Sequence, residues 1–146
     1  MNEVNNNTEK YETYYVLFSK LKHAIKYDFY LEAILISYSI LEDRSKSLLV
    51  HLKAFHEKKH KDLYKKMEAI KIMIDKNPIV SKYINIDLIE RINNWRTNRN
   101  VLIHGLANIK YEDVSIQKVA IEGYEIVSKF SNATTSIRRK LKSFQT

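Results

Sequence analysis

The chain has 146 residues, 45% of them hydrophobic, which suits one domain with a real core. Twenty-five basic residues against 17 acidic ones give a formal charge of +8 and a pI near 9.5, so a polyanion or an acidic protein surface suits it as a partner. Cysteine is absent, which excludes disulfides, thiol nucleophiles and cysteine-bound metals, and two glycines with one proline are too few for the turns of a sheet-rich fold. Residues 1–7 hold a short asparagine run without the basic and apolar pattern of a leader, and are expected to be disordered. Thr8 is placed to cap a first helix, with Tyr11, Tyr14, Tyr15, Phe18, Leu21 and Ile25 on one stripe. Asp28 is placed to cap a second, carrying Leu31, Ile34, Leu35, Tyr38, Leu41, Leu48, Leu52 and Phe55. A third helix with Leu63, Met67, Ile70 and Ile74 should stop before Asn77-Pro78, since a residue preceding proline is pushed out of helical geometry. The spacing from Asp87 to Glu90 opens a fourth helix through Ile92 and Trp95, for which Gly105 is a natural stop. Tyr111-Glu112-Asp113 leads into a fifth with Ile116, Val119, Ile126, Val127, Phe130, Ile137, Leu141 and Phe144 inward. No stretch alternates as a strand. The pattern predicts a single all-α domain over residues 1–146, an up-and-down bundle of about five helices. No run reaches the roughly 18 apolar residues of a membrane span, so a cytoplasmic protein with no membrane partner is expected.

Arginine is scarce, six residues against 19 lysines, so each one carries more information. Arg99 is followed at once by Asn100, then by Val101, Leu102 and Ile103, then by His104, the one histidine beyond residue 60. A guanidinium binds phosphate oxygens with a two-pronged fork, and an imidazole moves a proton near neutral pH. Together they are what metal-free phosphodiester cleavage needs. Asn100 can orient the arginine or bond a substrate oxygen. Geometry sets a condition on this reading. Five steps of ideal helix turn through about 500°, leaving the two side chains about 140° apart. Either the helix unwinds between them or a second copy of the chain completes the site. The bland alternative pairs Arg99 with a surface carboxylate and leaves His104 to cap the helix end, where an imidazolium is favourable. Arg44 and His51 fit the same loose spacing and read as a solvated basic strip.

His56-Glu57-Lys58-Lys59-His60 spells the H-E-x-x-H pattern, which on a helix would offer two imidazoles to zinc with Glu57 as base. Two lysines inside the motif, no third-ligand motif downstream and no preceding strand argue against it, so no metal or other cofactor is expected. From His51 to Lys71 lie seven lysines, and Arg138-Arg139-Lys140-Leu141-Lys142 closes the chain. Charge runs are usually solvated faces. With RNA as partner, Lys58, Lys59, Lys61 and Arg96 would supply salt-sensitive, weakly selective attraction.

A helical bundle bearing Arg99, Asn100 and His104 late in the chain resembles the HEPN superfamily. Its signature is an arginine, often followed by a polar residue, with a histidine four to six residues on, and these three residues match it position by position. The likeness covers most of the chain as architecture and about six residues as motif. It implies a metal-independent endoribonuclease with Arg99, Asn100 and His104 as catalytic residues, in the manner of toxins and phage-defence effectors. It also implies a homodimer with a shared cleft, and a cognate antitoxin or nucleotidyltransferase-like protein as a further partner. Other members imply the alternative, a non-catalytic helical module that docks a nucleotidyltransferase-like or acidic partner. In one toxin subgroup a tyrosine, which a partner enzyme modifies, follows the histidine after one intervening residue. Leu106 stands there instead, a departure from that mode of control.

Overall fold

In a computed structural model, residues 3–108 and 114–144 are described. They form six α-helices: α1 Glu3–Lys26, α2 Tyr30–His51, α3 Leu63–Lys76, α4 Pro78–Tyr83, α5 Ile86–His104 and α6 Val114–Ser143, with a 3-10 turn at Leu106–Asn108. Among the described residues there is no strand. The class is as expected, and the count is six rather than about five because Pro78–Tyr83 forms a short helix of its own.

The helix ends explain where the sequence reading slips. α1 begins at Glu3, so Thr8 lies inside it rather than capping it. Asp28 does not cap α2. It stands at φ 62°, and Phe29 N–H reaches back to Ala24 O at 2.8 Å, so Asp28 is the left-handed residue that closes α1. α2 ends the same way. Lys53 stands at φ 57°, and Ala54 N–H bonds Leu49 O at 2.9 Å, which stops the helix at His51 and leaves Phe55 in the connection. Both terminations do without glycine, the residue that normally marks them. Side-chain caps open the next helices: Asp62 accepts from Lys65 N at 2.8 Å, Asn77 from Ile79 N at 3.0 Å, and Asn85 from Leu88 N at 2.8 Å. Asn85, not Asp87, therefore starts α5. Pro78 sits in the first turn of α4, where its missing N–H costs nothing. Gly105 caps α5 as expected, its N–H on Val101 O at 3.1 Å. The expected start at Tyr111-Glu112-Asp113 lies outside the described residues.

α2 is the central helix, with Ala33, Ile34, Ser37, Ile40, Leu41, Arg44, Ser45, Leu48 and Leu49 buried. It packs most extensively on α6 and also on α1 and α3. Ile116, Val119, Ile126, Val127, Phe130 and Ile137 line the inner stripe of α6 as expected. Leu35 is exposed, as is Phe144, which lies past the end of α6.

α5 runs antiparallel to α6, fixed at two levels. Arg91 donates from Nη2 to Glu122 Oε2 at 2.8 Å and to Glu125 Oε2 at 2.7 Å. One turn on, Trp95 is fully buried, its indole N–H bonded to Val119 O at 2.8 Å and its ring against the backbone of Gly123. This clamp sets the rotation of α5, and therefore which way Arg96, Arg99 and His104 point. No helix among the described residues is long and apolar enough to cross a membrane.

Candidate active site

Arg99 lies one turn beyond Trp95, on the inward side of α5. Its Cζ stands 4.0 Å from the ring centroid of Tyr38 on α2, and its Nη1 donates to Asn100 Oδ1 at 3.1 Å. Arg96 lies one turn earlier, its Cζ 5.1 Å from the ring of Tyr64 on α3. Both Nε atoms are buried with no hydrogen-bond partner, and neither guanidinium has an ion pair among the described residues. Two cations are thus held over tyrosine rings by cation–π attraction, a contact that positions a guanidinium without using its N–H donors. The alternative pairing of Arg99 with a surface carboxylate does not occur among the described residues. Asn100 is in reach of Arg99 through this one hydrogen bond.

Tyr38 ties the site to the core, its ring 6.5 Å from that of Trp95. Its phenol pKa lies above the ordinary value. Burial is the main cause, the charges of Glu42 and Asp62 add to it, and Arg99 and Arg96 oppose it. At neutral pH Tyr38 is therefore a neutral platform and hydrogen-bond donor. The reach of Asp62 to Tyr38, and the stacking of Tyr64 on Arg96, put the start of α3 on the Arg96/Arg99 side of the bundle. Lys58, Lys59 and Lys61 are exposed on the connection that leads into it. Neither Tyr38 nor Tyr64 was marked as a site residue in the sequence, since their use as platforms exists only once three helices have packed.

His104 is the last residue of α5, exposed, with no hydrogen-bond partner among the described residues. α5 is unbroken from Arg99 to His104, so the unwinding that would unite them does not occur, and they leave the helix about 140° apart. The structure brings together Arg96, Arg99, Asn100, Tyr38 and Tyr64. It does not bring His104 to them within one chain.

Geometry also bears on two other segments. Arg44 is not part of a solvated strip: it is 9% exposed and packs on Tyr14, while His51 is exposed and its Nδ1 meets Ser47 O at 2.7 Å. The H-E-x-x-H segment is a turn, not a helix. His60 Nδ1 accepts from the backbone N–H of His56 at 3.0 Å, and His56 Nδ1 accepts from Lys59 N–H at 3.2 Å. A neutral imidazole that accepts at Nδ1 carries its proton on Nε2, so neither ring offers a metal a lone pair. Burial, followed by His56, Lys59 and Lys66, holds the His60 pKa below its ordinary value and favours that neutral form. Among the described residues no three His, Cys, Asp or Glu side chains form a metal-binding group. Metal analysis of the purified chain is expected to find no stoichiometric zinc, and Glu57→Gln should shift stability by less than about 0.5 kcal/mol, as for other exposed side chains. Stoichiometric zinc that is lost in His56→Ala would contradict this. Comparison with family models, curated proteins and solved structures returned no match.

Proposed function

We propose that this chain is a metal-independent endoribonuclease of the HEPN type, acting as a toxin or phage-defence effector. The observation that carries the reading is Arg99: a guanidinium against Tyr38 and bonded to Asn100, on a basic chain, with no carboxylate paired to it among the described residues. Such a group is suited to an external anion. With the scissile phosphate of RNA on Arg99, the ribose 2′-OH loses its proton to a general base and attacks phosphorus. The bond to the 5′ oxygen breaks, and that oxygen takes a proton from a general acid. The products are a 2′,3′-cyclic phosphate and a 5′-hydroxyl. DNA, lacking the nucleophile, is spared. Arg96 holds a neighbouring phosphate, and Lys58, Lys59 and Lys61 draw the strand in.

His104 is the proton-transfer group, and its direction on α5 calls for a second chain. In a two-fold dimer the imidazole of one copy faces the guanidinium of the other, and two histidines provide a base and an acid at once. Val101, 70% exposed on the outer side of α5, and the exposed Leu106 beside the helix end give the interface apolar contact. Trp95 is inside the fold and takes no part. A cognate antitoxin or nucleotidyltransferase-like protein would then cover this cleft. The divergence of Arg99 and His104 also favours a second reading, a non-catalytic module that docks an acidic or nucleotidyltransferase-like partner. One assay separates them. The ribonuclease cleaves single-stranded RNA in EDTA, leaves cyclic phosphate ends and ignores DNA of the same sequence, whereas a docking module leaves RNA intact.

A further inference from the structure

The turn between α1 and α2 exposes a cluster of three aromatic rings. The ring of His23 lies 4.6 Å from that of Tyr27 and 6.3 Å from that of Phe29, between centroids. Tyr27 is 54% exposed and Phe29 52%, and His23 is exposed as well. The backbone holds them in place. Tyr27 N–H reaches His23 O at 3.1 Å, which keeps the two residues one helical turn apart on the same side of α1. Beyond the left-handed Asp28, Phe29 N–H folds back to Ala24 O at 2.8 Å.

Phe29 is the most telling of the three. It stands at the N-cap of α2, where serine, threonine, aspartate or asparagine would bond a free backbone N–H, and its side chain makes no such bond. Half-exposed, it does not offset that loss by full burial. A residue that breaks a local rule with little gain to the fold points to a role outside the fold.

Cations border the rings. Lys22 and Lys26, four residues apart, form one row on α1, and His23 and Tyr27 form the next, about 100° around the helix. Lys26 Nζ is 5.4 Å from the centroid of the Tyr27 ring, Lys22 Nζ is 5.1 Å from that of Phe18, and neither lysine has an ion pair among the described residues. Asp28 is the one acid from residue 20 to 28, and its Oδ1 accepts from the Tyr30 hydroxyl at 2.9 Å. Glu32 follows in the first turn of α2. Rings bordered by lysines, on a chain of charge +8, suit a flexible polyanion that carries flat apolar groups. A single-stranded nucleic acid is such a partner: its bases stack on aromatic faces while its phosphates meet the ammonium groups. A lipid interface is the poorer match, because seating Tyr27 and Phe29 in it would also desolvate Asp28 between them.

We propose that His23, Tyr27 and Phe29 form a base-stacking platform for single-stranded nucleic acid, with Lys22 and Lys26 on the adjacent phosphates. That the natural strand is RNA rests on the proposed function; the stacking does not, since the bases of DNA have the same faces. Fluorescence anisotropy with single-stranded DNA, which the proposed nuclease does not cut, tests it. The chain should bind an oligothymidylate about tenfold tighter than an abasic oligonucleotide of equal length and charge, the worth of a stacked base. Tyr27→Leu and Phe29→Ser should each weaken the oligothymidylate about tenfold and the abasic strand less than about twofold. Tyr15→Leu, at a tyrosine 65% exposed elsewhere on α1, should change neither by more than about twofold. Phe29→Ser supplies a capping hydroxyl, so its melting temperature should fall by no more than about 4 °C, which separates lost affinity from lost fold. Replacing Lys22 and Lys26 together by glutamine should weaken both strands alike and flatten their salt dependence. Equal affinity of the parent chain for the two strands would overturn the platform, and so would equal effects of Tyr15→Leu and Tyr27→Leu. Binding of anionic phospholipid vesicles in place of the oligothymidylate, lost in Phe29→Ser, would overturn it in favour of a lipid surface. RNA left uncleaved would count against the proposed function and leave a base-dependent affinity at this turn standing.

Discussion

Arg99→Ala and His104→Ala should each lower RNA cleavage by about a thousandfold, the scale of losing a positioned charge or a proton-transfer group. Both proteins should stay folded. His104 is exposed and makes no contact that the fold uses, and Arg99 contributes one ring contact and one short-range bond. Arg99→Lys should also fail, because an ammonium keeps the charge but gives up both the fork and the delocalised cation that sits over Tyr38. The decisive measurement mixes the two inactive proteins. With Arg99 and His104 of different chains meeting in one cleft, a heterodimer of Arg99→Ala and His104→Ala keeps one intact guanidinium and one intact imidazole. Activity should then reappear on mixing. Two inactive proteins that stay inactive together, under conditions of proven subunit exchange, would place both groups in a single chain and refute the shared cleft. Full cleavage by either folded variant would move the chemistry elsewhere.

The second large effect is on stability. Trp95→Ala should cost about 3–5 kcal/mol, the range for removing a buried aromatic side chain, which is a large share of what a domain of this size has. Trp95 is fully buried, bonds Val119 O and packs directly on the backbone of Gly123. A Cβ at position 123 would stand 2.9 Å from the ring at Cζ2, so Gly123→Ala should also destabilise, by about 1–2 kcal/mol, although alanine is the better helix former. Combining the two gives the sharper test. Once the indole is gone, alanine at 123 meets no ring and keeps only its helical advantage, so the sign of Gly123→Ala should reverse in the Trp95→Ala background. Urea titration of the four proteins measures this cycle. Additive losses would show that the ring and the glycine are not the coupled contact. Gly123 thus permits the approach of α5 to α6 that points Arg96 and Arg99 at their tyrosines.

The sequence made some of this legible and hid the rest for definable reasons. Apolar spacing along α2, α3, α5 and α6 reports burial directly, and Pro78 and Gly105 mark breaks through their own backbone chemistry. The ends of α1 and α2 were misplaced because Asp28 and Lys53 take the left-handed position that glycine usually announces. Arg44 was read as solvated because no single-helix pattern shows an arginine folded onto a tyrosine from the preceding helix. Within the candidate site, Arg99 and Asn100 could be picked out, since their contact is between chain neighbours, while His104 leaves α5 in another direction. Tyr38 and Tyr64 could not, because they act across helix contacts. The angle between Arg99 and His104 was computable from the spacing, but whether α5 would stay straight depended on the cap at Gly105 and the packing of Trp95.

That straightness has a consequence for dosage. A site assembled across two copies exists only in the associated form, so in dilute solution its abundance grows with the square of chain concentration. A few stray copies, as from leaky transcription, would stay inert, while a burst of synthesis would switch the activity on abruptly. In the proposed dimer, four intervening residues in an unbroken helix would thus act as a threshold. One residue fewer would bring imidazole and guanidinium within about 40° of each other on the same helix, and the threshold would be lost.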